Sequence, residues 1–205
     1  METRPPRYRP PQQARSRRNL ERVLGAAESV LVAKGFDEFT MMAVAEQADV
    51  SIGAIYRRFE GKDQLLDAVW DSILARMESD LAAALDAAEP NLASVVRALV
   101  QASVADLSNN KIFPYLYGPS MALTERVHDA INTRRKLFLA AVEPRLDEVR
   151  RPDSRTAAVV VQQMVTGSCV HRASQGPAVE DGLSWDEFAA ELEKAALFYL
   201  MTAEP

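Results

Sequence analysis

The chain has one cysteine, Cys169, in 205 residues. No intrachain disulfide framework is available to it, and a reducing cytoplasm is its expected home. It has two histidines, His128 and His171, and neither has a second His or Cys three or four residues away. Helical metal-ligand spacing is therefore missing, and no metal or cofactor is expected. Cys169 and His171 are two apart, which on a helix turns them to different faces. The eight glycines form no phosphate-cradling loop. Ser168 falls within a helical pattern, not on a strand-to-helix elbow, so it is a poor nucleophile candidate. No catalytic residue is expected, and the chain does not read as an enzyme. No apolar run approaches the roughly 20 residues of a membrane span. The Arg- and Pro-rich start is not that of a signal peptide.

What is present is apolar content of 48%, enough to bury a sizeable core. The net charge of −5 is unevenly spread. Residues 1–62 hold 11 Lys or Arg against 8 Asp or Glu, a balance of +3. The remainder holds 13 against 21, a balance of −8. The positive charge lies where a nucleic acid would be met.

Residues 40–66 organise the rest. Thr40 is a good N-cap for a short helix, since its hydroxyl can accept an orphan backbone N–H. Ser51 repeats that arrangement eleven residues on. Asp49 falls between the two helices, where a left-handed residue is wanted; Gly is the usual choice, and Asp tolerates it at some cost. Ala45, Ala48, Val50, Ile55 and Phe59 supply a small core. Such a helix–turn–helix sets its second helix in the DNA major groove. Ile52, Gly53 and Ala54 stand at that helix's start, small enough to approach base edges and thymine methyls. Tyr56, Arg57 and Arg58 follow with donors for phosphate, and Lys62 opens the next helix, whose N-terminus also favours a phosphate.

Gly35, Thr40, Val44-Ala45, Ala48, Val50-Ser51, Gly53, Ile55-Tyr56, Phe59, Lys62 and Leu65 fall on one ungapped pattern. In this the stretch resembles the DNA-binding domain of the TetR family of bacterial transcriptional regulators. It departs at Asp49, where the family usually has Gly, and at Gly61, where Ser is common. The resemblance covers residues 15–66. The resemblance supports DNA contacts from Thr40, Ser51, Ile52, Gly53, Ala54, Tyr56, Arg57 and Lys62, to which Arg17 and Arg18 are added because they adjoin the folded domain. It also implies a dimer, a palindromic double-stranded operator and a small-molecule effector that relieves repression. A DNA-binding protein of the same fold without an effector, acting as activator or architectural protein, stays open.

The chain divides by pattern into three parts. Residues 1–14, with Pro5, Pro6, Pro10 and Pro11 among Arg4, Arg7 and Arg9, cannot bury enough apolar surface to fold alone. This basic arm is either a solubilising tail or reaches phosphates or the minor groove. Residues 15–61 form the helix–turn–helix domain, opened by a helix over about 16–34 that Gly35 ends. Residues 62–205 read as a larger helical domain, to which the resemblance assigns effector binding and dimerisation. Its first helix keeps an apolar stripe from Lys62 to about Ala88, roughly 40 Å at 1.5 Å per residue. A ligand between that helix and residues 111–121 would tilt it like a lever. Further helices are expected from Asn91, over 121–150 with a kink or restart at Pro144, over 154–173, and from Ser184, where Ser184 and Glu187 spell a capping box. Pro114 and Pro119 forbid a long helix over 111–120.

No strand pattern occurs, so the expected fold is all-α with about nine helices. Trp70, Phe113, Tyr117, Met121, Phe138, Gln163 and Met164 are candidates to line an effector pocket between helices. The aromatic and methionine side chains are also ordinary core residues by type, and Tyr117 and Gln163 could instead hydrogen-bond within the bundle. The helices over about 154–173 and 184–202 have more apolar faces than one copy can bury, which points to a homodimer through them.

Overall fold

The computed structural model describes residues 14–108, 121–175 and 182–203. Among these the chain forms eight α-helices and one 3₁₀ turn, with no strand. The fold is all-α, as the pattern predicts.

Helix α1 (Ala14–Lys34) buries Leu20, Val23, Ala27, Val30 and Leu31, which recur at steps of three and four. It ends where Gly35 takes φ 73 and its amide closes on the Leu31 carbonyl at 2.9 Å. That left-handed angle costs a glycine nothing. Helices α2 (Met41–Gln47) and α3 (Ile52–Tyr56) follow, then α4 (Lys62–Asp86). Phe39, Val44, Ala45, Ala48, Ile55 and Phe59 are each no more than 3% exposed. Full burial of an aromatic side chain contributes about 1.5–3 kcal/mol, more than a helix cap at about 1 kcal/mol. The core thus holds this small domain together, and the caps decide where its helices start.

The packing divides into two units at Leu74 and Ala75, within α4. The sequence pattern instead puts the boundary at the start of that helix.

The second unit holds α5 (Leu92–Ser108), α6 (Met121–Val142), the 3₁₀ turn Glu143–Glu148, α7 (Ser154–Gln175) and α8 (Trp185–Met201). Pro144 enters at the start of the 3₁₀ turn, so the helix expected over 121–150 ends at Val142. A proline has no N–H for the helix ladder, and its ring clashes with the turn before it. α5 packs on α7 and α8, and α7 on α8. Leu92, Leu99, Phe138, Val161, Val165 and Leu200 are buried among them. The Asn91 side chain caps α5, accepting from the Ser94 amide at 2.8 Å. Ser184 and Glu187 form the expected capping box at the start of α8.

Candidate nucleic-acid interface

Thr40, Asp49, Val50 and Ser51 set where α2 and α3 begin and how the chain turns between them. Thr40 is extended, with φ −131 and ψ 151, and its hydroxyl accepts the Ala43 amide at 3.1 Å. At the other end of α2 the Asp49 amide reaches the Glu46 carbonyl at 3.2 Å and the Val50 amide reaches the Ala45 carbonyl at 3.1 Å. This is the Schellman pattern, which needs a left-handed residue at its centre. Asp49 supplies it with φ 50. Among the described residues no other non-glycine has positive φ. Ser51 then returns to extended backbone, and its hydroxyl accepts the Ala54 amide at 3.2 Å. One left-handed residue and the Ser51 cap therefore turn the chain within four positions, Ala48 to Ser51.

The residues expected to meet DNA lie as follows. Ser51, Gly53, Tyr56 and Arg57 are exposed, and Ile52 and Ala54 are half-buried. Ile55, between them, is buried and fastens α3 to the domain. The Tyr56 side chain is 54% exposed. Arg57 forms the C-cap of α3, its amide donating to the Gly53 carbonyl at 3.1 Å. Arg17 and Arg18 are exposed near the start of α1. The rest of the basic arm lies outside the described residues.

Gly53 is informative. It is exposed on a helix, and a β-carbon added there would meet nothing else in the fold within 4 Å. The chain's own packing therefore does not require glycine, which in a helix costs about 1 kcal/mol relative to alanine. The missing β-carbon leaves backbone open to whatever α3 approaches.

Lys62 is half-buried at the start of α4. Its ammonium donates to the Phe36 carbonyl at 2.7 Å. It also lies 4.6 Å from the Phe36 ring centre and 5.7 Å from that of Phe39. An ammonium has three donors, so the Phe36 bond leaves others for a phosphate. The sequence does not disclose this partner, which is 26 residues away.

Met42 is passed over by the motif. It is 56% exposed on α2 and borders a shallow depression with Glu46, Asp49, Ser51 and Ile52. The signal was available: Met41, Val44, Ala45 and Ala48 make one buried face, which turns Met42 outward.

The candidates for an effector pocket fall in both units and partly outside the described residues. Trp70 is buried within the first unit. Phe138 is fully buried in the second, where Met164 is half-buried and Gln163 exposed. It is Gln162, not Gln163, that is buried, with its carbonyl oxygen accepting from Arg135 Nε at 3.2 Å and its amide donating to Thr166 at 3.0 Å. Phe113, Tyr117 and the side chain of Met121 lie outside the described residues. Among the described residues no group of three His, Cys, Asp or Glu is placed to hold a metal ion. No described helix is long and apolar enough to cross a membrane.

Residues 23–69 match the family model for bacterial regulatory proteins of the tetR family. Two curated relatives agree over the same scale of length. The chain is 38% identical over 68 residues to the uncharacterized HTH-type transcriptional regulator YvkB of Bacillus subtilis, covering 30% of this chain and 36% of that protein. It is 36% identical over 67 residues to the uncharacterized HTH-type transcriptional regulator TtgW of Pseudomonas putida, covering 33% of this chain and 50% of that one. The matches thus span between about a third and a half of those relatives. The whole fold is similar to that of the fatty acid degradation regulator FadR from Bacillus halodurans, with TM-score 0.68 at 15% identity over 87% of this chain and 94% of that one. At that identity the likeness is one of fold.

Proposed function

We infer, from an N-terminal domain that is that of the TetR family, that this chain is a sequence-specific DNA-binding transcriptional regulator. In this reading it is a repressor that leaves a palindromic operator when a small apolar or amphipathic effector binds. The observation that carries the DNA-binding part is Gly53. The recognition helix keeps a residue that its own packing does not need and that makes the helix less stable. A surface reserved for close approach explains that choice. Ser51, Tyr56 and Arg57, exposed on the same short segment, supply donors for phosphate oxygens.

A palindromic operator needs a twofold protein. α7 and α8 support one. Val160 on α7 and Phe198 and Met201 on α8 are 39%, 72% and 50% exposed in the single copy. A second copy packing these two helices against its own would cover them in a four-helix arrangement. The effector part rests on the family and on the separate helical unit that follows the DNA-binding domain.

The test is selection of operator sequences from a random pool by the purified protein, followed by reciprocal titration. Ligand affinity measured with and without saturating operator must differ by the same factor as operator affinity with and without ligand. Recovery of no common sequence would overturn the DNA-binding reading. Equal ligand affinities in both conditions would overturn release by that ligand alone.

A further inference from the structure

α7 has an exposed face that carries no charge. In a chain that is 26% charged, residues 156–171 contain no Asp, Glu, Lys or Arg. Burial on all sides would explain such a run, but α7 is not buried on all sides. Thr156, Val160, Gln163, Gly167 and His171 are exposed, at steps of four, three, four and four. They form one stripe, about 22 Å long at 1.5 Å per residue. Val159, Met164 and Val170 flank it, half-buried. A helix face left to water ordinarily carries charge, whereas the core of a protein–protein interface is depleted of it.

Gly167 stands within this stripe. A β-carbon added there would meet nothing else in the fold within 4 Å. Glycine in the middle of a helix weakens it relative to alanine, so the single copy gains nothing from it. What glycine permits is the close approach of another backbone.

The uncharged surface continues onto α8. Just before α7, the Arg150 amide donates to the Leu200 carbonyl at 2.8 Å, and the Arg151 guanidinium lies 4.4 Å from the Tyr199 ring centre. Near the other end of α7, the Arg172 guanidinium lies 5.2 Å from the Trp185 ring centre. The two helices are therefore antiparallel, and the exposed Phe198 and Met201 adjoin the Val160 end of the stripe. Towards the start of α8 the surface becomes charged, with Glu187, Glu191 and Lys194 exposed. An apolar centre with a charged rim is the anatomy of an interface. An uncharged face offers no counter-charge to a charged partner; a second copy of this chain brings a matching uncharged face.

We propose that α7 crosses its own copy at Gly167, where the two helix backbones come closest. This rests on the dimer reading above and adds the point of contact. A residue on a twofold axis faces its own counterpart, so the two Gly167 positions lie side by side.

The test uses the full chain. Gly167→Cys treated with copper phenanthroline should oxidise to a covalent dimer. Cys169 is buried and supplies no competing thiol. Ser174→Cys, exposed on the same face about 10 Å along the helix, should cross-link at least about tenfold more slowly, since cysteines with Cα atoms more than about 7 Å apart are not bridged without movement. Gly167→Leu should keep its helix content in circular dichroism, because the position is open in the single copy. In sedimentation it should raise the dimer dissociation constant by about tenfold or more, as overpacking of a closed contact does. A Gly167→Leu protein that dimerises as tightly as the unaltered one would overturn the crossing and leave the dimer reading standing. Equal cross-linking rates at positions 167 and 174 would do the same. A monomeric unaltered protein would overturn both.

Discussion

The Lys62 ammonium donates to the Phe36 carbonyl at 2.7 Å, across 26 positions of sequence. The first residue of α4 is thereby fastened to the segment that leaves α1. Lys62 is thus a structural residue and a phosphate candidate at once, and the two roles can be separated by salt.

Lys62→Ala should weaken operator binding by a similar factor for all sequences and reduce the salt slope by about one unit per half-site. Lys62→Met, which keeps an apolar stem over Phe36, should lose the same salt slope. Filter binding or anisotropy between 50 and 200 mM salt reads this. A change in sequence preference with unchanged salt dependence would reverse the assigned role.

Gly53→Ala should stabilise the domain by about 0.5–1 kcal/mol in chemical denaturation, because the position is helical and open. Operator affinity should fall nonetheless, through collision of the new methyl with the groove. Stability and binding would move in opposite directions. Ile52 or Ala54 changes should instead alter which operator is preferred, and Tyr56→Phe should weaken all operators alike.

Asp49→Gly should change stability by less than about 1 kcal/mol. Relief of the left-handed angle at φ 50 is offset by the greater freedom of glycine in the unfolded chain. The same change removes an exposed negative charge beside the start of α3. DNA affinity should therefore rise, most at low salt, in a direct titration. Unchanged affinity at 50 mM salt would show that Asp49 stands too far from the phosphates to matter.

Phe198→Glu should leave helix content unchanged, since this side chain is 72% exposed in the single copy. It should convert the proposed dimer to a monomer in sedimentation at micromolar concentration and cut operator affinity at least tenfold. A dimer that survives this substitution would place the twofold contact elsewhere.

The sequence by itself determined the helix–turn–helix. Thr40 and Ser51 cap because a hydroxyl reaches an amide three residues on, and Asp49 turns left because its side chain tolerates it. Pro144 ends α6 for an equally local reason. These interactions join residues a few positions apart, so spacing alone specifies them. The tertiary structure decided what lies between distant segments. Along α7, apolar residues fall on several faces, and the pattern does not tell Gln162 from Gln163. Successive residues turn by about 100°, and only the helices packed around α7 bury the first and expose the second. The start of α5 is closed by Glu148, which accepts the Leu92 amide at 3.0 Å from 56 residues away. Nothing in the local sequence marks Arg134 as buried. It becomes the tie between α4, α5 and α6 because their packing encloses it with Asp106 and the Met77 carbonyl. A charge is buried or exposed according to which helix faces meet, and that is fixed by the sum of long-range packing.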